Sequence, residues 1–272
     1  MEISVGHTPD ADDAFMFYGM FSGKVTSGFS VKHVIDDIEN LNRRAITPKL
    51  DVTAVSVHAC AYIPEYTILR SGGSFGIGYG PIVTATKEMN LDELCKARIA
   101  IPGKMTSAFL LLQLLIGKFE YVEMNFSEIP AAVKSGSVDA GLVIHETQLS
   151  YPEEGLIKVL DVGEWWHNTT NGLPVPLGIN VMKNSFGIET IRKFDRFLAE
   201  SIRFGLDHVD DAIDYAMKYG RGKSRDLIEK FVKMYVNDVT VDMGKNGEES
   251  IRKFFSMAEQ KKLVTKFDLK IA

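Results

Sequence analysis

The alternation of short β-branched runs with segments of helical periodicity limits the fold of this chain more than any other feature. Strands are predicted at 3–7, 29–35 and 52–57, and each is followed by a helical segment. The pattern restarts with predicted strands at 97–101 and 139–144. Such alternation is typical of an α/β protein in which crossover helices connect the strands of a mostly parallel sheet.

A change of pattern from residue 188 onward adds long amphipathic helices to the end of the chain. Two α/β halves and a helical tail predict two lobes, each a mostly parallel sheet flanked by helices, with a cleft between them. We predict a discontinuous first lobe at 1–84 plus 179–272 and a second lobe at 85–178. The sequence contains no evident internal repeat, and 272 residues suffice for two such domains.

Composition excludes several classes of protein. Hydrophobic residues make up 45% and charged residues 25%, which excludes disordered and collagen-like chains. A net charge of −5 argues against a nucleic-acid partner, because phosphate binding needs a basic surface. The N-terminus lacks the pattern of a signal peptide, and no uncharged apolar run reaches the roughly 18 residues of a membrane span. With only Cys60 and Cys95 and no CxxC pair, we expect a cytoplasmic protein without disulfides.

Three carboxylates crowd the junction between the first predicted strand and the first helix: Asp10, Asp12 and Asp13. Open α/β folds bind ligands at the carboxyl ends of their strands, so these side chains are candidate ligand contacts. Helix capping is the alternative, because a carboxylate satisfies free N–H groups and favours the positive end of a helix. Capping needs only one of the three, and both interpretations stay open.

Thr106 and Ser107 lie where another predicted strand passes into a helix. Backbone N–H groups point outward at such a place and favour a carboxylate ligand, although plain N-capping explains the same residue types. The glycine run 72–80 lacks the Lys-Ser/Thr of a P-loop and is predicted to let a crossing strand bend. Trp165 and Trp166 fall in a predicted polar, turn-rich loop at 163–176, as packing anchors or as walls of a pocket.

His145 directly follows a short apolar strand. An imidazole at the carboxyl end of a strand suits a general base, because its pKa lies near neutral pH, whereas a purely structural role is the alternative. His7 and His58 also end predicted strands, which leaves a three-histidine metal site as a further alternative. None of the three has close ligand spacing, and we predict no metal and no organic cofactor.

Taken together, these segments resemble the 1,4-dihydroxy-6-naphthoate synthase family of the futalosine route to menaquinone. The resemblance covers nearly the whole chain and depends on the order and spacing of its motifs. These motifs are Thr8-Pro-Asp-Ala-Asp-Asp-Ala-Phe15, Asp36-Asp-Ile-Glu-Asn-Leu-Asn42, Leu69-Arg-Ser-Gly-Gly73, Gly80-Pro81, Val143-Ile-His-Glu146, Tyr151-Pro152, Gly155-Leu156 and Gly172-Leu-Pro-Val-Pro-Leu-Gly178.

The resemblance implies a fold like that of type II periplasmic binding proteins and a carbon–carbon lyase. The implied substrate is cyclic dehypoxanthinyl futalosine, cleaved to 1,4-dihydroxy-6-naphthoate and dihydroxyacetone. The family histidine that matches His145 implies a base that removes a proton. The remaining substrate contacts that the resemblance implies are Ala54, Val55, Ser56, Thr106, Ser107, Asp13 and Asn42.

Thr106 and Ser107 would then bind the aryl carboxylate of the small-molecule substrate, while other polar residues bind its sugar-derived ring. Ala54 stands where some members of the family carry a lysine, so a contact there would come from the backbone. Two alternatives share the expected fold: the sister family, chorismate dehydratase, and a cytoplasmic carboxylate-binding protein without catalysis. His145 and its neighbours Ile144 and Glu146 favour the synthase. The oligomeric state stays open, with a homodimer among the alternatives.

Overall fold

The computed structural model describes residues 1–145, 147–219 and 224–272, which form two compact units. Unit 1 contains Met1–Phe75, Gly178–Glu248 and Lys266–Ala272, and unit 2 contains Gly76–Leu177 and Glu249–Thr265. The division predicted from the sequence placed 76–84 and 249–265 in the first lobe instead. In the structure, the strand within the first of these segments joins the sheet of unit 2, and Phe254 within the second packs against Trp166 of the same unit.

The strands are β1 (Glu2–His7), β2 (Ser30–Ile35), β3 (Val52–Ser56), β4 (Tyr66–Ile68), β5 (Ser74–Gly76), β6 (Ile82–Ala85), β7 (Arg98–Ile101), β8 (Glu120–Glu123), β9 (Ala140–Val143), β10 (Ile157–Asp161) and β11 (Val175–Lys183). The helices are α1 (Ala11–Met16), α2 (Tyr18–Phe21), α3 (Ile38–Ile46), α4 (Leu91–Leu94), α5 (Ser107–Ile116), α6 (Ile129–Lys134), α7 (Thr147–Ser150), α8 (Val162–Thr169), α9 (Ile188–Asp207), α10 (Val209–Ala216), α11 (Arg225–Tyr235), α12 (Asp238–Val241) and α13 (Gly244–Gln260). These elements confirm the α/β class, and every strand named in the sequence analysis is present to within two residues at either end.

Each unit is built on one sheet. The sheet of unit 1 has the strand order β2-β1-β3-β11-β4, with β5 also paired to β11, and the sheet of unit 2 has the order β10-β6-β9-β7-β8. In unit 1, β1 is parallel to β2 and β3, whereas β11 is antiparallel to β3 and β4. In unit 2, β7 is parallel to β8 and β9, whereas β6 is antiparallel to β9 and β10.

Both sheets are therefore mixed, and the prediction of mostly parallel sheets is wrong in this respect. The strands β6 and β11 are the first full strands after the chain passes from one unit into the other. No crossover helix leads from a neighbouring strand of the same sheet into either of them, so nothing requires them to run parallel to their neighbours. The parallel pairs are those whose strands are connected by helical segments, as the sequence pattern indicates.

The predicted helical tail is confirmed by α9, α10, α11 and α13. Helix α9 places Ile191, Phe194, Leu198 and Ile202 in the core of unit 1, at the three- and four-residue spacing of one helix face. The hydroxyl of Ser201 donates to the carbonyl of Met16 at 2.8 Å and accepts from the N–H of Met20 at 2.9 Å. This buried hydroxyl thus connects α9 to the end of α1. Within the described parts of the chain, no helix is long and apolar enough to span a membrane.

The loop predicted at 163–176 is wrong in its first half, because that part forms α8. Asp161 caps this helix by accepting from the N–H of Glu164, and the glycine that suggested a turn allows close packing instead. A Cβ atom on Gly163 would lie 2.3 Å from the backbone nitrogen of Gly80. Trp166 is fully buried and its Nε1 donates to the carbonyl of Pro174 at 3.1 Å, so it is a packing anchor.

Candidate functional site

The candidate residues occur in both units, and each group is described within its own unit. Asp13, Asn42, Ala54, Val55 and Ser56 belong to unit 1. The candidates in unit 2 are Thr106, Ser107 and His145. Seven of the eight lie on a strand from the parallel part of its sheet or within six residues after such a strand. Asn42 lies instead on α3, which packs beside β3. This is the edge at which α/β sheets place their ligand contacts.

Asp13 closes the turn between β1 and α1. Its Oδ2 accepts from the backbone N–H of Thr8 at 2.7 Å and from the hydroxyl of Thr8 at 2.9 Å. Asp10 is the N-cap residue of α1, but its side chain makes no capping hydrogen bond. Asp10, Asp12 and Asp13 are all buried. The carboxylate that holds this turn is therefore Asp13, which bonds backward to the strand rather than capping its own helix.

Asn42 and Ser56 form a reciprocal pair between α3 and the end of β3. The carbonyl oxygen of Asn42 accepts from the N–H of Ser56 at 2.8 Å, and its Nδ2 donates to the hydroxyl of Ser56 at 3.1 Å. Both residues are buried, Asn42 completely. Because the hydroxyl of Ser56 accepts from Asn42, its own hydrogen is not used in this pair and can be donated to another acceptor.

Ala54 and Val55 contribute backbone and packing rather than polar side chains. The methyl group of Ala54 packs in a cluster with Leu41 and Leu50. Val55 is fully buried in the sheet, opposite Ile179 of β11. The structure thus brings Ser56 and Asn42 together as polar partners, while the other two members of this stretch support the strand.

Thr106 and Ser107 begin α5, and both hydroxyls are engaged within the protein. Thr106 is the N-cap: its Oγ1 accepts from the N–H of Phe109 at 3.3 Å and donates to the carbonyl of Gly103 at 2.7 Å. The hydroxyl of Ser107 donates to the carbonyl of Leu177 at 2.5 Å. Capping is therefore observed. The hydroxyl hydrogens have protein acceptors, and the positive end of the ten-residue α5 supplies the attraction for an anion.

His145 follows β9 by two residues and has a backbone conformation that is uncommon for residues other than glycine. Its φ is 56°, in the left-handed region, which costs about 1–2 kcal/mol for a residue other than glycine. Its carbonyl accepts from the N–H of Gln148 at 3.1 Å, and its ring centre lies 4.6 Å from that of Phe126. The neighbouring Glu146 lies outside the described residues. Unusual backbone geometry of this kind is concentrated at functional sites, where surrounding contacts maintain it.

Close packing beneath β9 holds the strand that leads to His145. Gly141 in this strand has no room for a side chain, because a Cβ atom there would lie 2.4 Å from Cγ2 of Ile129 on α6. It would also lie 2.8 Å from Cγ2 of Val133. The backbone of β9 therefore contacts α6 directly, which limits movement of the strand end.

The other two strand-end histidines have partners within unit 1. Nδ1 of His7 donates to the carbonyl of Thr8 at 2.8 Å, and its Nε2 lies 3.3 Å from Nδ1 of His33. Burial lowers the pKa of His7 to about 4. Nε2 of His58 lies 3.2 Å from the hydroxyl of Tyr62. Among residues 1–145, 147–219 and 224–272, no group of three or more His, Cys, Asp or Glu side chains is placed to hold a metal ion.

Sequence reasoning missed three residues that support these groups: Thr8, His33 and Phe126. Thr8 lies within the first motif, and a hydroxyl residue five positions before Asp13 is a signal that could have identified it. The other two are far along the chain from their partners. Phe126 is 19 residues before His145, and His33 is 26 residues after His7. No local pattern connects residues at such separations.

Comparison with known families and curated proteins identifies relatives of the chain. The family described as menaquinone biosynthesis matches residues 3–260. A 1,4-dihydroxy-6-naphthoate synthase from Thermus thermophilus is 37% identical over 96% of this chain and 95% of its own length. A second protein with this name, from Streptomyces coelicolor, is 33% identical over 96% of this chain and 94% of its own length.

Solved structures agree with the fold described above. The crystal structure of protein AF1704 from Archaeoglobus fulgidus is 47% identical, covers 97% of this chain and 98% of its own, and has a TM-score of 0.92. The Candida albicans protein CA3427, which has the generic periplasmic-binding-protein fold, is 14% identical with a TM-score of 0.72 over 98% of this chain and 92% of its own. The chain therefore has a periplasmic-binding-protein-like α/β fold, which confirms the predicted class.

Proposed function

From the premise that this chain belongs to the menaquinone biosynthesis family and is an enzyme of that pathway, we propose that it is a carbon–carbon lyase. Its substrate is cyclic dehypoxanthinyl futalosine, and its products are 1,4-dihydroxy-6-naphthoate and dihydroxyacetone. The names of two relatives, each matched over nearly the whole chain, support this reaction. The spacing of the motifs around Asp13, Asn42 and His145 agrees with it.

We assign the general base to His145, and its backbone geometry is the observation that carries the proposal. Imidazole is the side chain most often used as a general base, and proton removal begins the carbon–carbon cleavage. The ring packs against Phe126, and the residue keeps a left-handed φ of 56° at the end of β9. A structural histidine could occupy an ordinary extended conformation there, so the strained one supports a role in which ring position matters.

The N-terminus of α5 binds the aryl carboxylate of the substrate in this proposal. The first turn of a helix presents N–H groups and a positive dipole end to an anion. Thr106 and Ser107 contribute by holding this helix end in place, since their hydroxyls bond to Gly103 and Leu177. Their role is thus to shape the anion site rather than to donate their hydroxyl hydrogens to the substrate.

Ser56 donates its hydroxyl hydrogen to the sugar-derived ring. Asn42 supports this assignment, because its Nδ2 donates to the Ser56 hydroxyl and its carbonyl oxygen accepts from the Ser56 backbone N–H. Neither bond uses the hydroxyl hydrogen of Ser56. Asp13 acts indirectly: its hydrogen bonds to Thr8 hold the turn after β1 in place. Ala54 and Val55 supply backbone at the same strand end.

The test is anaerobic incubation of the purified protein with cyclic dehypoxanthinyl futalosine, followed by mass spectrometry for both products. We expect 1,4-dihydroxy-6-naphthoate and dihydroxyacetone in equal amounts, with and without EDTA. A parallel incubation with chorismate controls for the dehydratase of the same pathway. Turnover of chorismate in place of the futalosine compound would overturn the substrate assignment, and binding of the futalosine compound without turnover would overturn the lyase.

A further inference from the structure

Unit 1 contains a cavity that the proposed reaction does not use. It is partly open to solvent and has a volume of about 410 Å³ between the edge strand β2 and the helices α2, α9 and α10, within the range of small-molecule sites. None of the candidate substrate contacts lines it. The lining residues that matter for recognition are Phe21, Phe29, His33, Phe197, Tyr215 and Tyr219.

The walls of this cavity suit a flat aromatic molecule. Phe21 and His33 lie with ring centres 4.6 Å apart, and Tyr215 and Tyr219 with ring centres 5.6 Å apart. The rings of each pair are in contact with each other, and a further ring can meet their exposed faces or edges by stacking or by edge contact. The side chains of Phe21, Phe29 and both tyrosines are only half-buried, so their apolar surface is accessible to a ligand.

A hydrogen-bond relay determines which nitrogen of His33 can bind a ligand. A carbonyl oxygen only accepts, so Nδ1 of His7 carries the hydrogen that contacts Thr8. Because burial lowers the pKa of His7 to about 4, its Nε2 carries no hydrogen at neutral pH and accepts from Nδ1 of His33. In the neutral ring of His33, Nε2 is then an acceptor, and it makes no hydrogen bond within the residues that the structure describes.

Two tyrosine hydroxyls in the cavity and two lysines next to its lining residues favour an acid. The hydroxyls of Tyr215 and Tyr219 lie 3.4 Å apart, so one of them donates to the other and the second keeps a hydrogen for a ligand. Lys193 and Lys218 place their ammonium groups 5.4 Å from the ring centre of Phe29 and 5.0 Å from that of Tyr215. Two positive charges therefore stand beside two of the aromatic walls.

We propose that this cavity is a second ligand site, which binds a hydroxylated aromatic acid. The aromatic walls hold the ring system, Nε2 of His33 accepts from the ligand hydroxyl, and the lysines attract its carboxylate. The product of the reaction proposed above belongs to this chemical class, and the suggestion that the product occupies the site rests on that proposed function. The ligand chemistry itself rests on the cavity alone.

Two matched probes test the acceptor: 6-hydroxy-2-naphthoate and 6-methoxy-2-naphthoate. They share the ring system and the carboxylate, but a methyl group replaces the hydroxyl hydrogen in the second, so only the first can donate a hydrogen to His33. Calorimetric titration of the full-length protein at pH 7.5 is expected to show binding of the hydroxy acid about tenfold tighter than that of the methoxy acid, the order of one hydrogen bond. Equal affinity for both probes, or no binding of either, would overturn the proposal.

Variants locate the binding. His33→Phe keeps a ring beside Phe21 and removes the acceptor, so we expect about tenfold weaker binding of the hydroxy acid and no change for the methoxy acid. His208→Phe is the matched control, because it replaces another exposed histidine of unit 1 that does not line the cavity. It is expected to bind like the wild type, and circular dichroism checks that both variants fold.

A crystal structure with 6-hydroxy-2-naphthoate gives the second measurement. Density between Phe29, His33 and Tyr219 would support the site, whereas density only at Thr106 and His145 would overturn it. Because neither experiment requires turnover, their outcome is separate from that of the lyase assay. A protein that turns over its substrate but leaves this cavity empty refutes only the second site, and one that binds here without turnover refutes only the proposed reaction.

Discussion

The two sheets of this protein have the same strand topology but different chemistry at equivalent strand ends. In unit 1 the order β2-β1-β3 is parallel and is followed by two antiparallel pairings, to β11 and β4. In unit 2 the order β8-β7-β9 is likewise parallel and is followed by antiparallel pairings to β6 and β10. Thus β1 corresponds to β7, and β3 corresponds to β9.

At these corresponding ends the units differ. After β1, the carboxylate of Asp13 holds the turn, whereas after β7 the hydroxyl of Thr106 caps a helix. The last residue of β3 is Ser56, paired with Asn42, whereas β9 is followed two residues later by His145 in a left-handed conformation. The comparison teaches that topology decides where functional groups lie, and that the residue at each strand end decides what they can do. In the proposed reaction, the hydrogen bonds to the sugar-derived ring are assigned to unit 1, and the anion site and the base are assigned to unit 2.

The largest expected effect is the difference in activity between a substitution at the end of β9 and one at the end of β3. His145→Ala should lower kcat by about 10²- to 10⁴-fold, the usual contribution of a general base, while the affinity for substrate changes by less than about tenfold. Ser56→Ala, its counterpart in unit 1, should lower kcat/KM by only about tenfold, because it removes a hydrogen bond. Steady-state kinetics on both variants measure the difference. If His145→Ala retained full turnover, the base would have to be another residue.

The next effect concerns the protonation of His7 at the end of β1. Its pKa is about 4 in the folded protein and near 6.5 in the unfolded chain, so the unfolded state binds the proton first as the pH falls. Between about pH 6.5 and 4, this residue should remove up to about 3 kcal/mol from the free energy of unfolding. Urea unfolding of wild type and His7→Phe at pH 7 and 4.5 isolates the contribution. A loss of stability on acidification that is equal in both proteins would contradict it.

Asp13→Ala tests the turn after β1. It leaves the N–H and hydroxyl of Thr8 without their shared acceptor in a buried turn, which should destabilise the protein by about 2 kcal/mol. Asp13→Asn keeps one carbonyl acceptor and should cost less. The measurement is urea unfolding at pH 7, and an unchanged midpoint in Asp13→Ala would show that the turn does not depend on this carboxylate.

The smallest effect is expected at the corresponding turn of unit 2. Thr106→Ala removes the N-cap of α5 and should cost about 1 kcal/mol, whereas Thr106→Ser keeps the capping oxygen and should unfold like the wild type. Unfolding curves of the two variants test the cap directly. If Thr106→Ala lowered the free energy of unfolding as much as Asp13→Ala, the two turns would contribute equally to stability.

Local patterns predicted most elements because they depend on neighbouring residues. The strand at Glu2–His7 and the helix at Ile188–Asp207 appear at the predicted places, since apolar spacing and capping act within one element. The same reasoning failed at Val162–Thr169, where glycine and polar residues suggested a turn. There, close packing of Gly163 on Gly80 and burial of Trp166 favour the helix, and neither contact is visible in the local sequence.

The candidate site shows the same limit. The positions of Asp13, Thr106 and His145 after predicted strands follow from the alternating pattern, because chain order places them at strand ends. Their hydrogen-bond partners do not follow from it. The pairing of Asn42 with Ser56 depends on α3 packing beside β3, and the contact of Phe126 with His145 depends on the packing of unit 2.

Hydrophobic periodicity and short motifs were sufficient to predict the class of fold, the order of its elements and the kind of residue at each strand end. Only the tertiary structure decided that both sheets are mixed and share one topology, since strand direction after a passage between units has no local signal. It also decided that His7 relays to His33 beside an aromatic cavity. Such contacts join residues distant in the chain, and packing free energy rather than local preference selects them.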